Sequence, residues 1–390
     1  MRAELTVEAT DGAARVGRLR LARGTVSTPL FMPVATRGTV RAVPTHDVAA
    51  IGAAGADTDH TATAPVPPVE VLLANTYHLM LRPGSDVVAS FGGLHRWCGW
   101  ERPMLTDSGG YQVFSLEPKV TDEGATFRST YDGSAHLLTP ERAVEIQEQL
   151  GADVQMVLDV CPPLPSPDSV VRAAVERTAS WAARALAARR RVEDQSLFGI
   201  VQGGVDVSLR REAAERTVAL GFDGYALGGL SVGERRDEML PAIDAAVAEL
   251  PADQPRYLMG VGDPLSIIEA VARGIDMFDC VLPTRLARHG TLLTDTGRLN
   301  ITRAEFIRSD DAISATCPCP TCARYPRGYL RHLASVDEQS AATLCSLHNL
   351  TWMSGYLGRI RRAVRAGTLR SLRDEVAAVW SGSDPGGARA

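Results

Sequence analysis

Three thiols and one imidazole carry the sharpest chemical signal in this sequence. Cys317-x-Cys319-x2-Cys322 places three cysteines within six residues, and His348 follows further along the chain. Thiolate and imidazole are the ligands zinc takes in closed tetrahedral sites, where four protein ligands leave no position open for a reacting water. The set reads as a structural zinc site, one Zn2+ per chain. Asn349, beside His348, is placed to cap a helix or to orient a ligand. Of the other cysteines, Cys98 and Cys345 read as core thiols, whereas Cys161 and Cys280 adjoin acidic segments and read as pocket lining.

Carboxylates carry the second signal. Asp279 lies in the apolar run Ile275–Leu282, where strand alternation puts Ile275, Met277, Asp279 and Val281 on one face. A carboxylate among apolar groups needs a partner or a use: a salt bridge to Arg285 or Arg288, or chemistry. Asp107 precedes Ser108-Gly109-Gly110-Tyr111. It reads as an N-cap or Asx turn, or as an acid/base beside a flat ligand on which Tyr111 stacks. Two carboxylates facing one sugar are the equipment of glycosidic substitution with retention, one attacking the anomeric carbon and the other moving the proton. Asp159 and Gln202 offer acceptor and amide edges, and backbone N–H groups near Gly229 a donor, which together suit the edge of a purine-like base. Gln202 reads equally as a satisfied core amide. Arg285 and Arg288 are placed to hold phosphates or base edges.

Eight apolar runs position these groups: Phe31–Ala35, Glu70–Asn75, Pro103–Asp107, Val154–Asp159, Leu197–Gln202, Gly224–Gly228, Arg256–Gly260 and Ile275–Leu282. Helical patterns such as Pro140–Leu150 and Val170–Arg190 separate many of them. The polar and glycine residues fall at or just after the ends of the runs, the face of a parallel barrel that carries active sites. The reading is an α/β chain folded as a (β/α)8 TIM barrel with an inserted zinc-binding subdomain near the C-terminus; an open doubly wound sheet is the alternative. Residues 1–282 form the main part of the barrel, 283–350 the zinc-binding subdomain and 351–380 a helical segment completing the barrel. Residues 53–69 have the composition of a loop insertion, and 381–390 that of a disordered tail.

The net charge is −5 over 390 residues, yet residues 283–373 hold 14 Arg, no Lys and 6 Asp+Glu. A basic C-terminal third on an acidic body suggests an anion-facing surface, or simply a solvated arginine-rich helix at 359–373. No apolar run reaches the ~18 residues of a membrane span. MRAELTVEAT lacks the apolar core of a signal peptide, so the cytoplasm is the expected compartment.

Taken together, the segments FMPVATRGTVRAV, LLANTYHLMLRPG, LTDSGGYQVFSL, LDVCPP, GIVQGG, YALGGLSVGE, YLMGVGDP, GIDMFDCVLPTR, ARHG, and CPCPTC with HNL resemble the tRNA-guanine transglycosylase family, in the family's order. The resemblance implies replacement of the wobble guanine (position 34) of a tRNA with a G-U-N anticodon by preQ1, in queuosine biosynthesis. It implies Asp279 as nucleophile and Asp107 as general acid/base. It places Asp107, Ser108, Gly109, Gly110, Tyr111, Asp159, Gln202, Gly229, Leu230 and Met259 around the base. It places Gly260, Val261, Gly262, Asp263, Pro264, Leu265 and Ser266, with Thr284, Arg285, Leu286, Ala287 and Arg288, against the tRNA. Cys317, Cys319, Cys322 and His348 match its zinc ligands, and a homodimer is implied. Cys161 and Val232 resemble the pocket of bacterial members, which take preQ1. Two departures stand out: Leu286 where the family usually has Asn, and CPPLP after Asp159 where bacterial members usually have a Thr-Pro-Tyr-Pro run. A non-catalytic accessory subunit of the same family and an unrelated zinc-containing barrel hydrolase are the competing readings.

Overall fold

Each of the eight apolar runs overlaps a strand in the computed structural model, which describes residues 3–52 and 65–382. An antiparallel sheet of β1 (Glu4–Asp11), β2 (Ala14–Leu21) and β3 (Gly24–Thr28) leads into barrel strands β4 (Leu30–Pro33), β5 (Leu72–Ala74) and β6 (Met104–Thr106). A second antiparallel sheet follows, with β7 (Lys119–Val120), β8 (Ala125–Arg128) and β9 (Ala135–Leu138). The barrel resumes with β10 (Val154–Met156), β11 (Ser196–Val201), β12 (Gly224–Leu227), β13 (Arg256–Leu258) and β14 (Met277–Cys280). A hairpin of β15 (Thr291–Thr294) and β16 (Gly297–Asn300) comes last.

The eight barrel strands pair in the order β4-β14-β13-β12-β11-β10-β6-β5, all parallel. A Val34–Leu73 bridge joins the two outer members, and the Ala35 N–H donates to the Leu73 carbonyl at 2.6 Å. That join nearly closes the barrel and excludes the open sheet. Strands covered on both faces read as continuous apolar runs, and every residue of β11 is buried.

Local signals set the helices. The Thr139 side chain accepts from the Arg142 N–H, Pro140 opens the helix Pro140–Leu150, and Gly151 in the left-handed region closes it. The helix Asp168–Ala188 buries Val171, Ala174, Val175, Thr178, Trp181, Ala182 and Ala185, one stripe laid on the barrel.

Three features differ from the sequence reading. The strands of the first 28 residues were not anticipated, although Asp11-Gly12, with Gly12 at φ 62°, is a strong hairpin signal between β1 and β2. A single helix, Gln339–Ala366, runs across residue 350, so the metal-binding segment and the closing segment share one rod. Residues 359–373 are not one helix: Gly367 adopts the left-handed conformation that ends this rod, and Leu369–Trp380 follows. Of the anticipated insertion, residues 53–64 lie outside the described residues and 65–69 carry no helix or strand; residues 383–390 of the tail likewise lie outside them.

Candidate active site

Asp279 stands at the C-terminal end of β14, half-buried in the barrel mouth. Its Oδ1 accepts the Tyr257 hydroxyl at 2.6 Å and the Gly260 N–H at 2.8 Å. Both donors fall on one oxygen, which leaves Oδ2 free to react. Burial pushes the carboxyl above its ordinary range, while Gly260 and Tyr257 draw it back; no arginine contributes. The anticipated alternative of a salt bridge to Arg285 or Arg288 is therefore not what holds this group.

Asp107 follows β6. Its Oδ1 accepts from the backbone N–H of Thr76 at 2.9 Å and of Gly109 at 3.0 Å, and its Oδ2 accepts from Asn75 Nδ2 at 2.5 Å. The Gly109 contact is the Asx turn anticipated as an alternative; the carboxyl makes that turn and still lies near enough to Asp279 to feel its charge. Burial pushes it up to about 7, against these three donors, and the Asp279 charge adds to the rise. Two carboxylates close enough for one to feel the other's charge repel, which favours a proton on Asp107.

A third acid defines a pocket beside them. Asp159 Oδ2 accepts from Gln202 Nε2 at 2.5 Å, and burial pushes Asp159 up to about 6. Gln202 Oε1 is buried with no hydrogen-bond partner among the described residues. The Cys161 thiol lies near Gln202 and the Gly229 N–H, pushed up to about 12 by burial and by Asp159. Tyr111, half exposed, lies near enough to feel Cys161. Gly229 has φ 63°, and a Cβ there would stand 2.2 Å from Gln202 Oε1, so only glycine fits. Ser108 is buried and accepts from the Gly110 N–H at 3.2 Å; Leu230 is buried, and Met259 is half-buried against the barrel core. Acceptors at Asp159 and Gln202 opposite a backbone donor at Gly229 match the donor–donor–acceptor edge of a guanine-like base.

Two residues were missed from sequence. Tyr257 shares its strand face with Met259, and its hydroxyl needed a buried partner; that was the available signal. Arg210 is fully buried in the helix Val207–Val218, where it donates to the carbonyls of Gly204 at 2.7 Å, Val201 at 2.8 Å and Gly229 at 3.2 Å. It fixes the floor of the pocket, and nothing in VSLRREAAERTV sets it apart from its surface neighbours.

The segments anticipated against RNA divide. Gly260 is exposed, but Val261, Gly262, Asp263, Pro264, Leu265 and Ser266 are buried. Asp263 caps the helix Pro264–Val271 by accepting from the Ser266 N–H at 2.9 Å and pairs with Arg236 at 2.9 Å. Thr284 and Ala287 are buried, whereas Arg285, Leu286 and Arg288 are half-buried, with Leu286 packed on the barrel core. Burial, Arg41 and Arg285 together lower the pKa of Arg288.

Cys317, Cys319, Cys322 and His348 converge, with all ligand atoms within 4.8 Å of one another. The sulfurs stand 3.6, 3.6 and 3.3 Å from His348 Nδ1. A tetrahedron with Zn–S of about 2.3 Å and Zn–N of about 2.0 Å has S···N edges of about 3.5 Å, so these residues fit such an ion. His348 Nε2 lies 2.9 Å from the Leu293 carbonyl, which aims Nδ1 at the sulfurs. Asn349 accepts from the Leu293 N–H at 2.9 Å and donates to the Pro283 and Thr291 carbonyls at 2.8 and 3.0 Å, tying the metal cluster to the segment that follows Asp279.

A parallel barrel with acids at its strand ends and a Cys3His cluster on its C-terminal rod defines a class of zinc-fitting barrel proteins. The family described as queuine tRNA-ribosyltransferase matches residues 10–382. Queuine tRNA-ribosyltransferase of Solidesulfovibrio magneticus is 48% identical over 95% of this chain and 96% of its own. Those of Herpetosiphon aurantiacus and Symbiobacterium thermophilum are 47% and 46% identical, covering 95% and 97% of this chain and 91% and 92% of their own. The chain belongs to the queuine tRNA-ribosyltransferase family.

Proposed function

We propose that this chain exchanges the guanine at position 34 of a tRNA with a G-U-N anticodon for preQ1, through a covalent ribosyl-aspartate. The observation that carries this reading is the pair Asp279 and Asp107, one with an oxygen that no donor occupies among the described residues and the other pushed up to about 7 by burial, with the Asp279 charge adding to the rise. Asp279 Oδ2 attacks C1′ of the target ribose, and the C1′–N9 bond breaks. The leaving guanine takes the Asp107 proton at N9. The incoming base then returns its N9 proton to Asp107 and attacks C1′, breaking the ester to Asp279. Two inversions leave the anomeric configuration retained. A group titrating near neutrality suits both transfers.

Asp159, Gln202 and the Gly229 N–H hold the base, with Tyr111 and Met259 as its stacking faces. Cys161 and Val232 beside that pocket favour preQ1 over the larger queuine. Gly260, Arg285 and Arg288 face the RNA; the buried residues 261–266 shape that loop instead. Zinc at the Cys3His cluster holds the segment after Asp279 in place and takes no part in the exchange. The homodimer and the cytoplasmic setting rest on family likeness and belong to this proposal; sedimentation of the purified chain tests the former.

The test is incubation of the enzyme with tRNA and labelled guanine or preQ1, scored by the mass of the wobble nucleoside. Asp279→Ala is expected to abolish exchange while RNA binding persists. Normal incorporation by that variant would remove the nucleophile from this scheme.

A further inference from the structure

Three elements meet on the barrel rim beside Asp107, and they bring two guanidinium groups onto one aromatic ring. The Arg82 guanidinium lies 4.6 Å from the centroid of the Tyr131 ring, and that of Arg37 lies 5.7 Å from it. The Tyr131 hydroxyl stands 2.9 Å from His78 Nδ1. Arg37 and Arg82 are exposed, and neither pairs with a carboxylate among the described residues. Burial and the Arg37 charge lower the His78 pKa, which favours the neutral imidazole as the partner that steadies the ring.

The arrangement is built, not incidental. Tyr131 sits at the tip of the β8–β9 hairpin, which Tyr77 clasps through Thr130 Oγ1 at 3.0 Å and the Thr130 N–H at 3.3 Å. His78 lies on the helix Thr76–Leu81, and Arg82 caps it. Arg37 follows Thr36, whose carbonyl accepts the Asn75 N–H at 3.3 Å. Asn75 and Thr76 are also the donors that hold Asp107. The cluster is thus braced to the same residues as the acid/base.

Two guanidinium groups drawn to one ring repel each other, and an aromatic face offsets that only in part. An anion would complete the set: guanidinium forks match phosphate oxygens in geometry and charge. Arg41, in the same loop as Arg37, acts on Arg288 together with Arg285, so positive charge continues from this cluster toward the Asp279 side. We propose that Arg37, Arg82 and Tyr131 form a phosphodiester subsite that grips the RNA backbone flanking the target nucleotide on the Asp107 side of the mouth. The inference rests on the RNA-exchange reading above and extends it to a contact on the opposite flank from Arg285 and Arg288.

The test compares wild type, Arg37→Ala, Arg82→Ala and Tyr131→Leu for binding of a fluorescent anticodon stem-loop RNA across a salt series. The side chains lie outside the core, so melting curves are expected to overlay. Each arginine variant is expected to weaken Kd about fivefold to tenfold at about 0.1 M salt and to lower the log–log salt slope by about 0.7. Arg37→Lys is expected to recover the slope but only part of the affinity, because a point charge replaces a fork. Arg211→Ala, on an outer helix, controls for net charge. Unchanged affinity and slope in the Arg37 and Arg82 variants, or an equal change in Arg211→Ala, overturns the subsite. Exchange of labelled guanine is measured on the same wild-type preparation. A wild type that exchanges no base defeats the reaction itself, whereas an exchanging wild type with indifferent variants defeats the subsite alone.

Discussion

Replacing Asp107 with asparagine is expected to remove catalysis and add stability, with a pH signature that identifies the cause. The folded protein pushes this carboxyl from its ordinary 3.8 up to about 7, chiefly by burial. The folded state therefore binds the proton more tightly than the unfolded chain does. Its contribution to stability is full below about pH 4, falls as the pH rises, and is exhausted above about pH 7. A gap of about 3 pH units corresponds to about 4 kcal/mol at most. Asparagine carries no charge at any pH, but its amide nitrogen must face one of the three donors now serving the carboxylate, a loss of about 1 kcal/mol or somewhat more. The variant is thus expected to match or trail wild type at about pH 4 and to exceed it by about 1–3 kcal/mol above about pH 7. Urea denaturation at a series of pH values measures this, read as a shifted midpoint at constant slope. A difference that ignores pH, or one that turns against asparagine as pH rises, refutes the claim that desolvation holds this acid near neutrality.

Three further outcomes follow from the geometry. Tyr257→Phe removes the 2.6 Å donor to Asp279 Oδ1; a bond to a charged group is worth about 1.5–3 kcal/mol. Because that donor favours the ionised form, its loss should move the acid limb of the kcat/KM profile up by about 1–2 pH units. Gly229→Ala would drive a methyl against Gln202 Oε1 at a backbone angle that suits glycine; titration of exchange with free base should give a KM raised about tenfold or more. Removal of the metal by a chelator should lower the melting temperature and disorder the segment that Asn349 ties down, and elemental analysis should return one zinc per chain before treatment.

What the sequence revealed and what it withheld have physical causes. The barrel was legible because strands buried on both faces cannot hide their apolar runs, and glycines and polar residues punctuate their ends. Asp107, Asp159 and Asp279 stood out because carboxylates recur at the ends of such runs, although a salt bridge or an Asx turn would explain any one of them, and Asp107 does make that turn. The Cys3His set was legible from ligand type and spacing alone. Tyr257 was not, since a tyrosine within an apolar run resembles core packing until its hydroxyl partner is known. Arg210 sits in a helix whose pattern does not mark it as buried. The resemblance placed the 260–266 segment against RNA but not its local geometry: Asp263 caps a helix, and Asp263 and Ser266 are both buried. The Arg37–Arg82–Tyr131 cluster joins residues scattered over three elements, a proximity that only the fold creates.

The rod Gln339–Ala366 carries His348 and Asn349 near one end, while Tyr356 reaches the Pro264 carbonyl at 2.7 Å and Arg361 the Pro29 carbonyl at 2.6 Å further along. One stiff element thus touches the Cys3His cluster, the loop beside Asp279 and the entry to the first barrel strand. Starving a cell of the ion would slacken this brace and blunt the enzyme without altering a single reacting atom. Trace-metal supply would then be written into the pool of modified anticodons.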